Sequence, residues 1–331
     1  MVKMTRTILI ILCLLQIPPA FASDPPDSLV WPGPPARPRL RHLTTLSSSE
    51  SLRKEEGTLS KIFQFFFGGE RSTPWLVQPV GIAVSEKGII YVADPGAKGV
   101  HRIDEVEKKH LFTMEAGDGE YRSPVGIACA HDGTVYITDS DAGQVIIADE
   151  DLEAKGIIKE HLVRPTGICI IQDTLFVVDT GTHKVVRFDR DGRYTGEFGE
   201  RGVGDGQFNY PVQIVGRDRL CVIDALNYRV QLFSLGGRFQ GTFGKHGNAI
   251  GTFASPKGVA LDSDNNIYVT DALLDNLQIF NAQGALLLSV GQEGARNGQF
   301  ETPNGIAIDA SDRIYIVDTL NKRIQIFQYL K

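Results

Sequence analysis

The chain has 331 residues and 42% of them are apolar, so it is long enough and apolar enough to bury a substantial core. Its 34 Lys and Arg residues are outnumbered by 40 Asp and Glu residues, which gives a net charge of −6. This balance argues against proteins that bind the phosphate backbone of nucleic acids and against polybasic membrane binders, because both carry a basic excess. The 35 glycines indicate many turns and therefore many short elements.

The N-terminus has the pattern of an export signal. Two basic residues precede an apolar run at residues 8–17, and a small-x-small triplet follows at residues 20–22. This pattern predicts a signal peptide over residues 1–22. We therefore expect an exported protein, periplasmic or extracellular in a bacterium, with no transmembrane span after cleavage. A retained signal anchor and lipid attachment at Cys13 are the alternatives, although the apolar run is short for a membrane span.

Residues 23–59 have the composition of a linker that is first Pro-rich and then rich in Ser and charge. Six prolines fall between residues 25 and 38, and Pro-rich segments of this kind are extended and semi-rigid. Trp31 and the alternation of basic and apolar residues over 39–43 favour packing of part of this segment along a folded domain. A solvated tether is the alternative.

A recurring Pro-x-Gly tripeptide divides the rest of the chain, residues 60–331, into repeats. Five copies are intact, and a sixth carries Gln213 in place of the Gly. Successive prolines lie 45, 41, 46, 45 and 47 residues apart, and an Asp follows each Pro at the end of an apolar segment. Two independent markers therefore define six repeats. The prolines are Pro79, Pro124, Pro165, Pro211, Pro256 and Pro303, and the aspartates are Asp94, Asp139, Asp179, Asp224, Asp271 and Asp318.

Each repeat contains short segments that are typical of strands. In the repeat that begins at Pro256 they cover residues 258–261, 267–271, 277–280 and 286–290, and Gly, Asn and Asp bound them. No part of the repeats shows a sustained apolar period of 3.6 residues. Six repeats of four strands predict an all-β fold, a six-bladed β-propeller with four-stranded blades.

The two ends of the chain predict how the ring closes. The sixth repeat stops after its third strand, at residues 324–327, while an unassigned strand at residues 62–67 precedes the first repeat. That strand stands in the phase of the missing fourth strand. Pairing the two would protect both sheet edges, so we predict that residues 62–67 complete the C-terminal blade.

Two further motifs carry a family resemblance. Three segments between repeats share the pattern Gly-x2-Gly-x3-Gly-x-Phe-x2-Pro, and two repeats continue into Asn-x-Arg-x-Gln, at Asn227 and Asn321. In these motifs residues 60–331 resemble the NHL repeat family, and the front end resembles bacterial exported six-bladed NHL proteins. The resemblance implies a binding platform, although some relatives are sensor or RNA-binding domains and more distant propellers are enzymes. Because only the fourth and sixth repeats keep both the Asn and the Arg, we expect no nucleic-acid partner.

Several patterns that imitate catalytic or metal sites have simpler structural interpretations. The six repeated aspartates favour a repeated Asx turn over a ring of carboxylates. Asp262–Asn266 imitates the start of a calcium loop without its Gly and Glu, so it favours a hairpin turn. Cys129, Cys169 and Cys221 favour small buried apolar groups, and one disulfide with a leftover thiol is the alternative. We therefore predict no catalytic residue, no metal site and no cofactor.

Strand parity predicts which surface binds a partner. The connectors before each first strand and the loops after each second strand lie on one face, which we call the connector face. Loops on a rigid scaffold commonly carry binding residues, although these connectors could instead only fill the wedges between blades. Arg229 and Arg323 share one repeat position. Their alternative role is to brace neighbouring loops instead of binding a partner. The candidate partner-binding residues are Trp75, Tyr210, Tyr228, Arg229, His246, Lys257, Asn304 and Arg323.

The sequence thus predicts an exported, non-enzymatic propeller that binds a protein or peptide partner. The alternative is a propeller hydrolase or lyase that uses a divalent metal in the central channel. The two differ in whether acidic, Asn or His side chains from different blades converge on that channel.

Overall fold

A computed structural model describes residues 29–33, 35–48 and 75–331 of the chain. These residues form one antiparallel sheet per repeat and no α-helix. The first strand of each sheet contacts the first strands of the two neighbouring sheets, so the sheets surround a common axis as blades. The predicted fold, a six-bladed propeller of four-stranded blades, is confirmed, although the last blade carries a fifth strand at its outer edge.

Two strands precede the first repeat, and the first three blades follow in chain order. The early strands are β1 (Val30–Trp31) and β2 (Leu40–Leu46). Blade 1 contains β3 (Gly81–Val84), β4 (Ile90–Asp94), β5 (Gly99–Asp104) and β6 (Lys109–Thr113), and the connector after it contains β7 (Glu115–Ala116) and β8 (Gly119–Glu120). Blade 2 contains β9 (Pro124–Cys129), β10 (Val135–Asp139), β11 (Gln144–Ala148) and β12 (Ala154–Ile158). Blade 3 contains β13 (Pro165–Ile171), β14 (Thr174–Asp179), β15 (Lys184–Asp189) and β16 (Tyr194–Phe198).

The last three blades have the same order of strands from the channel outward. Blade 4 contains β17 (Pro211–Gly216), β18 (Leu220–Asp224), β19 (Arg229–Phe233) and β20 (Phe239–Phe243), with a 3₁₀ helix at Ala225–Asn227. Blade 5 contains β21 (Pro256–Leu261), β22 (Ile267–Asp271), β23 (Asn276–Phe280) and β24 (Leu286–Val290). Blade 6 contains β25 (Pro303–Ile308), β26 (Arg313–Asp318) and β27 (Arg323–Tyr329).

The hydrophobic core lies between the blades. Six apolar clusters occur among the described residues, and each joins residues of two consecutive blades. Every residue of β22 is buried, because the neighbouring blades cover both faces of a second strand. The outermost strand β24 is half-exposed. This packing explains the continuous apolar second strands of the repeats.

The Pro-x-Gly motif is required where the first strands approach one another. A Cβ atom on Gly81, Gly126, Gly258 or Gly305 would collide with a backbone oxygen of the next blade. Gly305 N also donates a hydrogen bond of 2.8 Å to Val80 O across the junction of blades 6 and 1. The glycines therefore permit close contact of the strands around the channel.

A strand from the N-terminal region closes the ring, as predicted, but it is a different strand. β2 pairs with β27 in antiparallel register, from Leu40 opposite Tyr329 to Leu46 opposite Ile324, and β1 adds a fifth strand outside it. Residues 40–46 thus belong to the propeller and not to a linker, which corrects the domain boundary. The predicted closing strand, residues 62–67, lies outside the described residues, and the edge of β27 that it was predicted to cover is occupied by β2.

Two other predictions concern this part of the chain. The signal peptide at residues 1–22 lies outside the described residues. In the part of the chain that the structure describes, no helix has the length and apolar character needed to cross a bilayer.

Candidate functional site

The six repeated aspartates are structural groups that fasten the connector face. All six are completely buried, and each carboxylate accepts one or two backbone N–H groups from the segment before its own first strand. In blade 1, Asp94 accepts hydrogen bonds from Val77 N at 2.6 Å and Gln78 N at 2.9 Å. Burial opposes ionisation of Asp94, but His101 and these backbone groups lower its pKa below the ordinary value. The aspartates therefore have a structural role, as predicted, but they bind the segment before the first strand rather than only forming an Asx turn.

Blades 4 and 6 use their aspartates differently from the other blades. The residue before the first-strand proline, Tyr210 or Thr302, has a positive φ of 54° or 57°. The N–H of this residue donates to a side chain of the preceding blade. Tyr210 N donates to His183 Nδ1 at 3.1 Å, and Thr302 N donates to Asp275 Oδ1 at 2.8 Å. One carboxylate oxygen of Asp224 and of Asp318 thereby becomes available to side chains.

Arg229 and Arg323 occupy those available oxygens. Arg229 Nε donates to Asp224 Oδ2 at 2.8 Å, and Arg229 Nη2 donates to the connector oxygens of Gly204 and Gln207. The contacts of Arg229 therefore support its alternative role, in which it braces a neighbouring loop instead of binding a partner. The Arg323 side chain is only 9% exposed, which leaves little of it for a partner.

Arg323 makes the same contacts in blade 6. Its Nη1 donates to Ala295 O at 2.6 Å, and its Nη2 donates to Arg296 O and Gln299 O at 2.9 Å each. These bonds hold the backbone of the connector between blades 5 and 6. Both arginines thus make the long connectors rigid.

The Gly-rich segments are blade connectors, as predicted. Each forms an isolated parallel bridge across its own loop, for example between His246 and Phe253. The Phe of each segment is fully buried, while Gly199, Gly244 and Gly291 have positive φ values. The loops therefore fold back on a buried aromatic anchor and present their tips to solvent.

Three of the predicted aromatic residues lie at this surface. Tyr210 is 46% exposed. The Tyr228 ring lies 4.3 Å from the exposed His246 ring, measured between centroids. Trp75 is partly buried, and its Nε1 donates to Lys322 O at 3.2 Å across the junction of blades 6 and 1.

Lys257 and Asn304 follow the first-strand prolines of blades 5 and 6 and are partly buried. Burial lowers the pKa of Lys257, and the nearby Asp271 opposes this change. The Asn304 backbone oxygen accepts a hydrogen bond of 2.5 Å from Thr270 Oγ1. Within the described residues, Lys257 makes no ion pair.

The sequence interpretation missed the exposed leucines of the connector face. Leu226, Leu273 and Leu320 each stand two residues after the repeated Asp of blades 4, 5 and 6, and they are 49%, 71% and 52% exposed. Their recurrence at one repeat position was a visible signal. Other exposed apolar residues in loops of this face are Val77, Met114, Val163, Val203 and Ile250.

The opposite face has short turns and few apolar side chains. Among the described turn residues of this face, Val106 is the one large apolar side chain that is exposed. Asp262 begins one of these turns, and its Oδ1 accepts hydrogen bonds from Asp264 N and Asn266 N. The predicted hairpin turn is thus found in place of a calcium loop.

Two histidines form a buried pair in blade 1. His101 Nδ1 and His110 Nε2 are 3.0 Å apart, and His101 is completely buried beside Asp94. Burial and the neighbouring His101 lower the pKa of His110 to about 4. In the described part of the chain, no group of three or more His, Cys, Asp or Glu side chains is arranged to hold a metal ion.

Among the described residues, Cys129, Cys169 and Cys221 are free thiols, so the predicted apolar role is confirmed over the disulfide. Burial raises the pKa of Cys129 and Cys221 to about 12 and also raises that of Cys169. The thiols therefore stay protonated at neutral pH and act as packing groups.

Comparisons with known proteins agree with this architecture. The model of the DUF5128 family, described as a 6-bladed β-propeller, matches residues 260–329. The protein brain tumor of Drosophila melanogaster is 33% identical over 61 residues, which cover 18% of this chain and 6% of that protein. The match thus spans a small part of the curated relative.

Three solved structures share the fold at low sequence identity. A catalytically inactive virginiamycin B lyase from Staphylococcus aureus has a TM-score of 0.56 at 16% identity, covering 76% of this chain and 95% of its own. An auxiliary nutrient binding protein from Bacteroides thetaiotaomicron has a TM-score of 0.60 at 16% identity, covering 78% and 70%. A gluconolactonase from Xanthomonas campestris has a TM-score of 0.60 at 14% identity, covering 77% and 87%. The fold therefore occurs in both binding proteins and enzymes.

Proposed function

We propose that the protein is an exported propeller of the NHL type that binds a protein or peptide partner through its connector face and catalyses no reaction. The observation that carries this proposal is the repeated exposure of Leu226, Leu273 and Leu320 at one position of three consecutive blades. Large exposed apolar groups in soluble proteins commonly mark interaction sites.

The surroundings of these leucines suit a binding surface. Tyr210, Tyr228 and His246 add aromatic groups of the kind enriched at binding hot spots. The contacts of Arg229 and Arg323 hold the connectors, so the surface would lose little conformational freedom when a partner binds. A rigid apolar face with aromatic groups at its loops supports recognition of a protein or peptide.

The likeness to a lyase and a gluconolactonase supports a second candidate, a metal-dependent propeller hydrolase or lyase that acts through the channel. The burial of the repeated aspartates supports the binding role instead, because their carboxylates already accept backbone N–H groups. They hold the loops of their own blades.

The test is affinity capture with the mature protein in its native compartment, combined with metal analysis of the same sample. We expect a recurrent protein partner that is lost when Leu226, Leu273 and Leu320 are all replaced by Asp. Leu287→Asp is the matched control, because Leu287 is 54% exposed on the outer strand β24. Capture that survives the triple change, with loss after changes to Arg193 or Arg238 in the opposite turns, would show that the wrong face was chosen.

The metal analysis separates the two candidates. A tightly held divalent ion in stoichiometric amount would favour the enzyme. Unchanged folding and capture after prolonged chelation are the results expected of the binding protein.

A further inference from the structure

A cavity lies between blades 4 and 5 on the face opposite the connectors. It has a volume of about 260 Å³. Arg217 and Arg219, in the turn between β17 and β18, line it on the side of blade 4. Leu261 and Ala282 of blade 5 supply apolar lining. Asp218, Gln240 and Asn265 also line it, so the cavity combines two guanidinium groups with an apolar wall and one carboxylate.

Both guanidinium groups are fixed by blade 5. Arg217 Nη1 donates to Asp262 O at 3.2 Å and to Asn265 Oδ1 at 3.4 Å, and Arg219 Nη2 donates to Ala282 O. Because a guanidinium has five N–H donors, each arginine keeps donors that these contacts do not use. Two cations are therefore held at the cavity with hydrogen-bonding capacity to spare.

The charge of these arginines is not neutralised by a carboxylate. Among the described residues, neither Arg217 nor Arg219 lies within 4.0 Å of an acidic oxygen, and Asp218 between them is exposed without an ion pair. The Asp262 carboxylate is occupied by Asn266 and by the Tyr268 hydroxyl. Three other arginines of the same face are paired, Arg190 with Asp132, Arg193 with Asp189, and Arg313 with Glu105, whereas Arg238 has no ion pair among the described residues.

We infer that this cavity binds a small organic anion, whose phosphate or carboxylate group is held by Arg217 and Arg219 and whose apolar part lies against Leu261 and Ala282. Planar guanidinium groups match phosphate and carboxylate geometry, and charge-assisted hydrogen bonds are stronger than neutral ones. The size of the cavity suits a compact ligand rather than a polymer. The site is independent of the binding function proposed for the connector face.

The test titrates the full mature chain with phenyl phosphate, benzoate, inorganic phosphate and the neutral analogue benzamide, followed by calorimetry and by NMR of arginine Nε–H groups. We expect phenyl phosphate or benzoate to bind and to shift the signals of Arg217 and Arg219 but not of Arg238. The stronger of the two identifies the anionic group. Benzamide should not bind, and inorganic phosphate should bind more weakly than phenyl phosphate.

Variants make the proposal falsifiable. Arg217→Gln or Arg219→Gln should weaken binding about tenfold or more, because each removes a charge-assisted hydrogen bond. Arg238→Gln, an exposed cation in the other turn of blade 4, should leave affinity unchanged. Asp218→Asn should raise affinity about threefold by removing a nearby negative charge.

If an arginine variant fails to fold, Asp218→Asn still tests the proposal. Asp218 is exposed, and this variant keeps both arginines while it is expected to raise the affinity for the anion. Failure of both organic anions to bind would overturn the proposal. Equal weakening by Arg219→Gln and Arg238→Gln, or equal affinity for phenyl phosphate and inorganic phosphate, would also contradict it.

Discussion

Arg323 Nε donates a hydrogen bond of 2.7 Å to Oδ2 of Asp318, and both side chains are nearly inaccessible to solvent. The other nitrogens of Arg323 bind backbone oxygens of the connector between blades 5 and 6. The ion pair therefore links the end of a core strand to the surface loop that we propose as part of a binding face. In blade 4, Arg229 and Asp224 form the same link.

The first prediction concerns this pair. Arg323→Gln should lower the free energy of unfolding by about 3–5 kcal/mol, because it removes the cation paired with the buried Asp318 carboxylate and the hydrogen bonds to the connector oxygens of Ala295 and Arg296. Urea denaturation measures the change as a lower midpoint. Lys322→Gln is the control, since the adjacent Lys322 is exposed. Similar midpoints for the two variants would mean that the pair does not stabilise the fold.

The second prediction concerns the approach of the first strands. A methyl group on Gly258 would lie 2.8 Å from Thr270 Oγ1 and closer still to Asn304 O. Gly258→Ala should therefore cost about 2 kcal/mol or more of stability, since the strands around the channel must move apart. Thermal unfolding checks this result.

Gly241 provides the matched control for that substitution. A Cβ there would meet its nearest neighbour, Leu232 Cδ1, at 3.9 Å, which is ordinary van der Waals contact. Gly241→Ala should leave stability unchanged or raise it by about 0.5 kcal/mol. If Gly258→Ala were equally harmless, the steric account of the Pro-x-Gly motif would be wrong.

The fold could be predicted from the sequence because its markers recur once in each repeat. The Gly of Pro-x-Gly and the repeated Asp are each required by a contact that recurs in nearly every blade, so their spacing reveals the repeat. The closing strand was misassigned for a physical reason. Residues 62–67 are more apolar and aromatic, while β2 has basic and polar residues between Leu40 and Leu46 and a bulge between His42 and Thr44.

The candidate site was less predictable, because exposure depends on tertiary contacts. Arginine is a residue type enriched at binding hot spots. Arg229 and Arg323, however, donate to an Asp of their own blade and to backbone oxygens of the connectors, and the sequence does not reveal these backbone contacts. The cavity of Arg217 and Arg219 depends on how the turns of two blades meet. Leu226, Leu273 and Leu320 could have been found from their repeat position alone.

The third prediction concerns pH. The pKa of His110 is about 4 in the folded protein and 6.5 in the unfolded chain, so the unfolded chain binds the proton first as pH falls. The contribution of neutral His110 is therefore complete above pH 6.5 and is lost as pH falls towards 4. The loss should be on the order of 2 kcal/mol, allowing for solvent screening of a partly exposed ring.

His110→Gln should remove this slope from a plot of unfolding free energy against pH. His131→Gln should keep the slope, because the His131 side chain is 88% exposed. The neighbouring side chains of His101 and Asp94 are present in both variants. A slope that persists in His110→Gln would assign the pH dependence to other groups.

The fourth prediction concerns ring closure. Leu40 in β2 is completely buried in the cluster between blades 5 and 6, whereas Leu43 in the same strand is 41% exposed at the bulge. Leu40→Ala should cost about 2–5 kcal/mol by leaving a cavity beside Phe327, and Leu43→Ala should change stability by less than about 0.5 kcal/mol. Urea midpoints measure both, and unchanged slopes would show that the unfolding transition is the same.

Because both changes remove the same atoms from one strand, their difference isolates burial from strand propensity. Equal and small effects would mean that β2 does not close the ring in solution, and the edge of β27 would then be covered by another segment of the chain.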